Sequence, residues 1–110
     1  MIVKFTDLDR ELMRSKAREA SKLVRAISNE DRLLLLCQLT KGERSVSELE
    51  EQLGILQPTL SQQLGVLRTD GLVNTRRDGK RIYYSISDPK VLTVLSTLCG
   101  LYCRQNGDAP

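Results

Sequence analysis

At 110 residues, with 40% hydrophobic and 28% charged side chains, the chain suits one soluble domain around one core; two domains would each be too small to fold alone. No apolar run approaches the ~20 residues that span a bilayer, and MIVKFTDLDRE carries no apolar stretch with a cleavage site behind it, so neither a membrane span nor a secretory leader is expected and the cytoplasm is the expected location. The net charge of +3 is too small to name a polyanionic partner, but it is distributed as +3 over residues 1–26, −3 over 27–56, +3 over 57–83 and 0 over 84–110, with four cations packed into Arg76 to Arg81.

Residues 7–27 place Leu8, Leu12, Ala17, Ala20, Val24 and Ile27 at helical spacing, with Arg10, Arg14, Arg18, Lys22 and Arg25 elsewhere on the wheel, which predicts an amphipathic first helix. A second is expected from near Ser28, whose hydroxyl can cap free N–H groups with Asp31 three positions later, through Leu33, Leu34, Leu35, Leu36 and Cys37 to Leu39. Apolar almost all round, it should be the buried centre, and Lys41-Gly42 stops it. Ser47 followed three residues later by Glu50 is a capping-box pattern that opens a short helix bearing Leu49 and Leu53, and Gly54 ends it. Pro58 suits the first position of the next helix, expected from about Pro58 to Thr69. There Leu60, Leu64 and Leu67 fix the buried side and leave a polar, nearly uncharged face drawn from Thr59, Ser61, Gln62, Gly65 and Arg68.

After Asp70-Gly71, residues 72–77 and 80–86 are strand-like and joined by Asp78-Gly79, a pair that favours a hairpin turn with both central residues at positive φ. Asp88-Pro89 then gives an N-cap and a first helical residue for a last helix, with Leu92, Leu95, Cys99 and Tyr102 on one side and Val91, Val94, Leu98 and Leu101 over much of the other. One of these faces can pack on the core and the second needs a partner. The expected fold is mainly α with a β-hairpin wing: a dimeric winged helix-turn-helix, a single domain over 1–110, with 1–27 and 88–105 as dimerisation helices, 47–69 as the helix-turn-helix and 72–87 as the wing.

A helix set across its predecessor by a tight turn projects as a ridge that fits a DNA major groove about 12 Å wide. The amides of Gln57, Gln62 and Gln63 match adenine N6 and N7, Thr59 and Ser61 can bond to bases or phosphates, and Arg68 lies beyond them. Arg76, Arg77, Lys80 and Arg81 flank the hairpin tip, where long cations reach phosphates or a minor groove. Alone, polar residues on a helix usually make a solvated face, and cations near a turn usually keep an edge strand soluble. In the order helix, turn, helix, hairpin they point to double-stranded DNA as the partner, ahead of a protein-only adaptor. An enzyme is not expected, since there is no histidine base and no glycine-rich phosphate loop, and aromatics are only 4%.

Cys37, Cys99 and Cys103 are odd in number and lack CxxC spacing, so a structural disulfide framework is not expected. Among leucines, Cys37 reads first as an inert core residue. Cys99 stands four residues before Cys103 on the same helical face. The lack of histidine, and of a Cys-x-Cys in the third helix, removes the usual metal-ligand sets, while a three-thiolate arsenite site from Cys37, Cys99 and Cys103 stays open. No cofactor is expected.

The run Gln57-Pro58-Thr59-Leu60-Ser61-Gln62-Gln63-Leu64-Gly65-Val66-Leu67-Arg68, with Gly71-Leu72-Val73 and Arg76-Arg77-Asp78-Gly79-Lys80 after it, resembles the arsenic-repressor (ArsR) family of winged-helix sensors over nearly the whole chain. With Leu36-Cys37 and Leu101-Tyr102-Cys103 added, it looks most like the biofilm growth-associated and persulfide-sensing, sulfide-responsive repressors. The resemblance implies a homodimeric repressor that leaves its operator when two cysteines, mapping onto Cys37 and Cys103, react with sulfane sulfur or an oxidant to give a disulfide or polysulfide bridge. Cys99 departs from that two-cysteine pattern and stands as a third candidate. Haemolysin-activating regulators of the family share the pair, so an activator or anti-repressor role is a further implication.

Overall fold

A computed structural model describes residues 7–102. Its elements are α1 (Asp7–Ile27), α2 (Glu30–Leu39), β1 (Arg44–Ser45), α3 (Val46–Leu53), α4 (Thr59–Thr69), β2 (Val73–Asp78), β3 (Arg81–Ile86) and α5 (Pro89–Tyr102). This is the expected mainly helical winged helix-turn-helix. The core gathers Leu35, Leu36 and Leu39 of α2, Leu49 of α3, Leu60, Leu64 and Leu67 of α4, Leu72 and Val73 at the start of the wing, and Val91 and Leu95 of α5. As expected of the central helix, α2 packs against α1, α3, α4, α5 and β3.

The helix starts differ from the sequence expectation. Asn29, not Ser28, caps α2: its Oδ1 accepts from the Arg32 N–H at 3.0 Å, while the Ser28 hydroxyl donates backwards to the Arg25 carbonyl at 2.9 Å and serves the end of α1. The capping box of α3 is Ser45 with Glu48 rather than Ser47 with Glu50. Ser45 is extended (φ −77°, ψ 162°) because its strand pairs with β3, Arg44 opposite Tyr84 and Ser45 opposite Tyr83, and extended backbone is what an N-cap requires. Ser47 already lies inside the first turn. The Ser45 N–H, and then its hydroxyl, hold the Glu48 carboxyl below its ordinary value.

Pro58 occupies the N-cap of α4 instead of its first helical position and brings no capping side chain. Gln57 supplies the cap, its Oε1 accepting from the Ser61 N–H at 3.2 Å and from the Ser61 hydroxyl at 2.6 Å.

β1, which the sequence alone did not suggest, makes the wing a three-stranded antiparallel sheet in the order β1-β3-β2. Asp78 still pairs with Arg81, so the two-residue turn is Gly79-Lys80, one position later than expected. Among the described residues no side-chain-bearing residue has positive φ, and only Gly79 (φ 64°) takes that role in the turn, which matches the hairpin type with glycine first.

On α5, Asp88 Oδ1 accepts from the Lys90 N–H at 2.8 Å, as an N-cap should. The faces regroup, however: Val91 and Leu95 are buried, with Leu98 and Cys99 half-buried beside them, while Leu92, Val94, Leu101 and Tyr102 are exposed. On α1, Leu12, Met13 and Val24 are exposed as well. No helix among the described residues is long and apolar enough to cross a membrane.

The position of the α3 cap is testable by unfolding in urea. Ser45→Ala should cost about 1 kcal/mol, the typical value of an N-cap, and Ser47→Ala well under half of that. The reverse order would place the cap in the frame that the local motif suggested.

Candidate nucleic-acid interface

Because Leu60, Leu64 and Leu67 point into the core, α4 turns Ser61, Gln62, Gly65, Val66, Arg68 and Thr69 outward, with Gln57 exposed just before the helix and Thr59 half-buried at its start. Between α4 and the wing runs an open groove of about 480 Å³, lined by Ser61, Gly65 and Arg68 from α4, Lys80, Arg81 and Ile82 from the wing, and Ser45, Ser47 and Glu50 at the start of α3. The structure thus brings four of the sequence candidates, Ser61, Arg68, Lys80 and Arg81, to one groove. Among the described residues the side chains of Arg68, Arg77, Lys80 and Arg81 have no ion-pair partner, which leaves them available to an external anion.

Four of the candidates have internal partners: Gln57 and Ser61 bond to each other in the cap of α4, and Gln63 and Arg76 are held by residues distant in the chain. Gln63 is half-buried, and its Oε1 accepts from Arg32 Nη1 at 2.9 Å; the same guanidinium donates to the Ala26 and Arg25 carbonyls at 2.6 and 3.3 Å, so one side chain serves the end of α1 and steadies α4. Arg76 Nε and Nη2 donate to the Glu43 carboxylate at 2.8 and 2.7 Å, and its guanidinium lies 4.5 Å over the ring of Tyr83, its cross-strand neighbour. Sequence reasoning missed Arg32, Glu43 and Tyr83, because each acts through a partner distant in the chain. A signal existed only for Tyr83, placed opposite Arg76 once the hairpin register is known.

Gly65 is informative because the body of the protein does not require it. A Cβ built there meets no atom within 4 Å, and no positive φ calls for glycine. Glycine inside a helix costs roughly 0.5–1 kcal/mol relative to alanine, and no contact among the described residues repays that cost at this outer-face position.

The cysteines bring the third candidate into contact. Cys37 of α2 and Cys99 of α5 are joined in a disulfide, their Cα atoms 6.3 Å apart, inside the span of about 7 Å that such a bond allows. Among the described residues the partner of Cys37 is thus Cys99, the third candidate, rather than the Cys103 that the resemblance implies. The reason is that α5 carries Cys99 on the same side as Val91 and Leu95, packed toward α2, where both cysteines are half-buried beside the core. Cys103 lies outside the described residues. Among those described, no group of three histidine, cysteine or acidic side chains is placed to hold a metal ion.

Residues 29–75, from the cap of α2 into β2, match the family described as "Bacterial regulatory protein, arsR family". The biofilm growth-associated repressor of Xylella fastidiosa is 46% identical over 102 residues, covering 93% of this chain and 90% of that protein. The chain belongs to the ArsR family. It is accordingly a DNA-binding transcription regulator, and the family is one of regulators rather than enzymes. The transcriptional activator HlyU of Vibrio cholerae is 42% identical over 94 residues, 86% of this chain and 87% of its own length. The crystal structure of the repressor BigR from Xylella fastidiosa superposes with a TM-score of 0.79 at 48% identity, over 87% of this chain and 98% of that one. Reduced HlyU from Vibrio cholerae gives 0.81 at 40% identity, over 86% and 99%.

Two outcomes follow from these contacts. Gly65→Ala should stabilise the fold by up to about 1 kcal/mol in urea unfolding while weakening DNA binding, opposite signs that a purely structural glycine would not give. Hydrogen bonds from Arg76 hold the Glu43 carboxyl below its ordinary 4.5. A depressed folded value means that the pair's contribution is complete above 4.5 and is lost as pH falls through the lower folded value. Carboxyl titration followed by NMR should show Glu43 returning to its ordinary range in Arg76→Ala.

Proposed function

We propose that the chain is a cytoplasmic homodimeric repressor whose hold on operator DNA is switched by thiol chemistry between Cys37 and a cysteine of α5. The observation that carries the switch is the disulfide between α2, which underlies the helix-turn-helix, and α5, whose exposed apolar residues are the proposed dimer surface. Gln57, Thr59, Ser61 and Gln62 read base edges, with Gln63 held in reserve by Arg32, while Arg68, Arg77, Lys80 and Arg81, and Arg76 when it leaves Glu43, meet phosphates. Residues 1–27 and 88–105 supply dimerisation, which agrees with the exposure of Leu12, Met13 and Val24 on α1 and of Leu92, Leu101 and Tyr102 on α5. On this reading 47–69 is the helix-turn-helix and 72–87 the wing.

In the reduced state the dimer binds DNA. A thiolate of the pair attacks a sulfane sulfur, keeps that atom as a persulfide and expels the donor's thiolate. The second cysteine, as thiolate, attacks the inner sulfur and releases hydrosulfide, leaving a disulfide; the two electrons end on the sulfur expelled as sulfide. The new bond ties α5 to α2 and restricts the relative motion of the dimer and DNA-reading helices. Cys103 is the alternative partner that the family resemblance implies. The activator named among the relatives keeps a second reading, in which release of DNA lowers expression instead of raising it.

Fluorescence anisotropy with a duplex from the chain's own promoter region tests both parts. If Arg68, Lys80 and Arg81 of two protomers each meet one phosphate, affinity should fall about 10³-fold between 50 and 200 mM salt. Polysulfide should release the DNA and dithiothreitol restore it. Cys37→Ser should abolish release, and comparing Cys99→Ser with Cys103→Ser assigns the partner. Normal release in all three variants would end the thiol reading. Release by stoichiometric arsenite in place of polysulfide would favour a three-thiolate metalloid site.

A further inference from the structure

We infer that the polar side of α1 is a second phosphate-binding surface, on which Arg14, Arg18, Lys22 and Arg25 run along the DNA backbone beside the half-site held by α4. The inference rests on the DNA-binding reading and extends it to an element outside the helix-turn-helix and the wing.

At about 100° and 1.5 Å per residue, these four side chains fall within an arc of about 80° and along about 16 Å of helix, the length of about five base-pair steps. All four are exposed, and among the described residues none has an acidic partner within ion-pair distance. Lys16 differs, since it lies round the helix and pairs with Glu19 at 3.6 Å. The shallow surface between Arg14, Ala17, Arg18, Ser21, Lys22 and Arg25 contains no acid, and Glu11 is the one acidic residue beside Arg14 and Arg18 further back. Like charges four residues apart weaken a helix, so this ridge works against the element that carries it. The exposed apolar residues Met13 and Val24 lie on the opposite side, with Leu12 beside them, so a dimer built through that side leaves the ridge uncovered.

The ridge is also continuous with α4. A crevice of about 430 Å³ is lined by Lys22, Arg25 and Ala26 of α1, Arg32 of α2, and Thr69 with Asp70 at the end of α4. Arg32 closes the connection by its hydrogen bond to Gln63. A phosphate chain that leaves α4 near Thr69 meets Lys22 and Arg25 first, then Arg18 and Arg14. That continuity identifies the partner as the duplex already held by α4, in preference to an acidic protein.

The test compares the full-length wild type with R14Q/R18Q/K22Q on operator and scrambled duplexes over a series of salt concentrations. Each phosphate that the variant no longer neutralises lowers the magnitude of the log K against log[salt] slope by about 0.9, so its slope should be smaller by about 2 to 5 for two protomers. Affinity for both duplexes should fall in the same proportion, leaving discrimination unchanged. Phosphate ethylation interference should disappear at a set of positions in the variant, and R14K/R18K/K22R should restore it there. Relief of like-charge repulsion should leave the melting temperature equal or higher, which separates the effect from unfolding. A wild-type slope and interference pattern in the variant overturns the ridge and leaves the α4 reading standing. A wild-type protein without salt-dependent binding overturns both.

Discussion

Leu60, Leu64 and Leu67 are each at most 2% exposed, and together with Leu35 and Leu36 of α2 they form the contact on which the placement of α4 depends. Full burial of a leucine side chain contributes about 1.5–3 kcal/mol, more than the net of about 1 kcal/mol that a hydrogen bond on the opposite side adds. The rotation of α4 about its own axis is thus decided by the core and is indifferent to what the outer face carries. That indifference leaves Ser61, Gln62 and Gly65 open to be shaped by an external partner, and a bare glycine can persist there at a cost the core readily offsets.

The same asymmetry explains what the sequence disclosed. Helical and strand periods are local, and the leucines of α2 and α4 and the alternation across residues 72–86 were enough to place every helix and the hairpin. What depended on distant partners stayed hidden. Ser45 and Ser47 both precede a glutamate by three residues, and the choice between them is made by Tyr83 and Tyr84, whose strand holds Ser45 extended. The destinations of Gln63 and Arg76 were equally unreadable, since Arg32 and Glu43 reach them across 31 and 33 residues of chain. The partner of Cys37 was undecided for a related reason. Cys99 and Cys103 share a helical face in sequence, and only the packing of α5 on α2 brings Cys99 to Cys37.

α2 consequently has three roles on three sides. Its leucines fill the core, Cys37 meets α5, and its end leads through Thr40, whose hydroxyl donates to the Cys37 carbonyl at 2.6 Å, toward Glu43 and the ion pair with Arg76. A covalent change at Cys37 acts on an element that touches α5, α4 and the wing sheet at once. Two discrete arrangements of α2 against α5 would suffice to couple thiol state to DNA affinity, and no separate relay is needed.

Charge is placed to the same end. A cation on the outer face of α4 would strengthen binding to every duplex alike, because phosphates carry no sequence. An amide or hydroxyl there gains little from the wrong base and leaves a desolvated group unpaired, which costs about 1–3 kcal/mol and rejects that base. The chain therefore keeps the turns of α4 that carry Ser61, Gln62 and Gly65 uncharged and concentrates its cations at Arg68, on the wing and along α1. Arg76 shows the principle from the other side. Neutralised by Glu43 and laid on Tyr83, it braces the wing, whereas among the described residues Arg77, Lys80 and Arg81 have no ion-pair partner. On the proposed reading, affinity and discrimination are carried by different elements, so that salt can weaken the one without blurring the other.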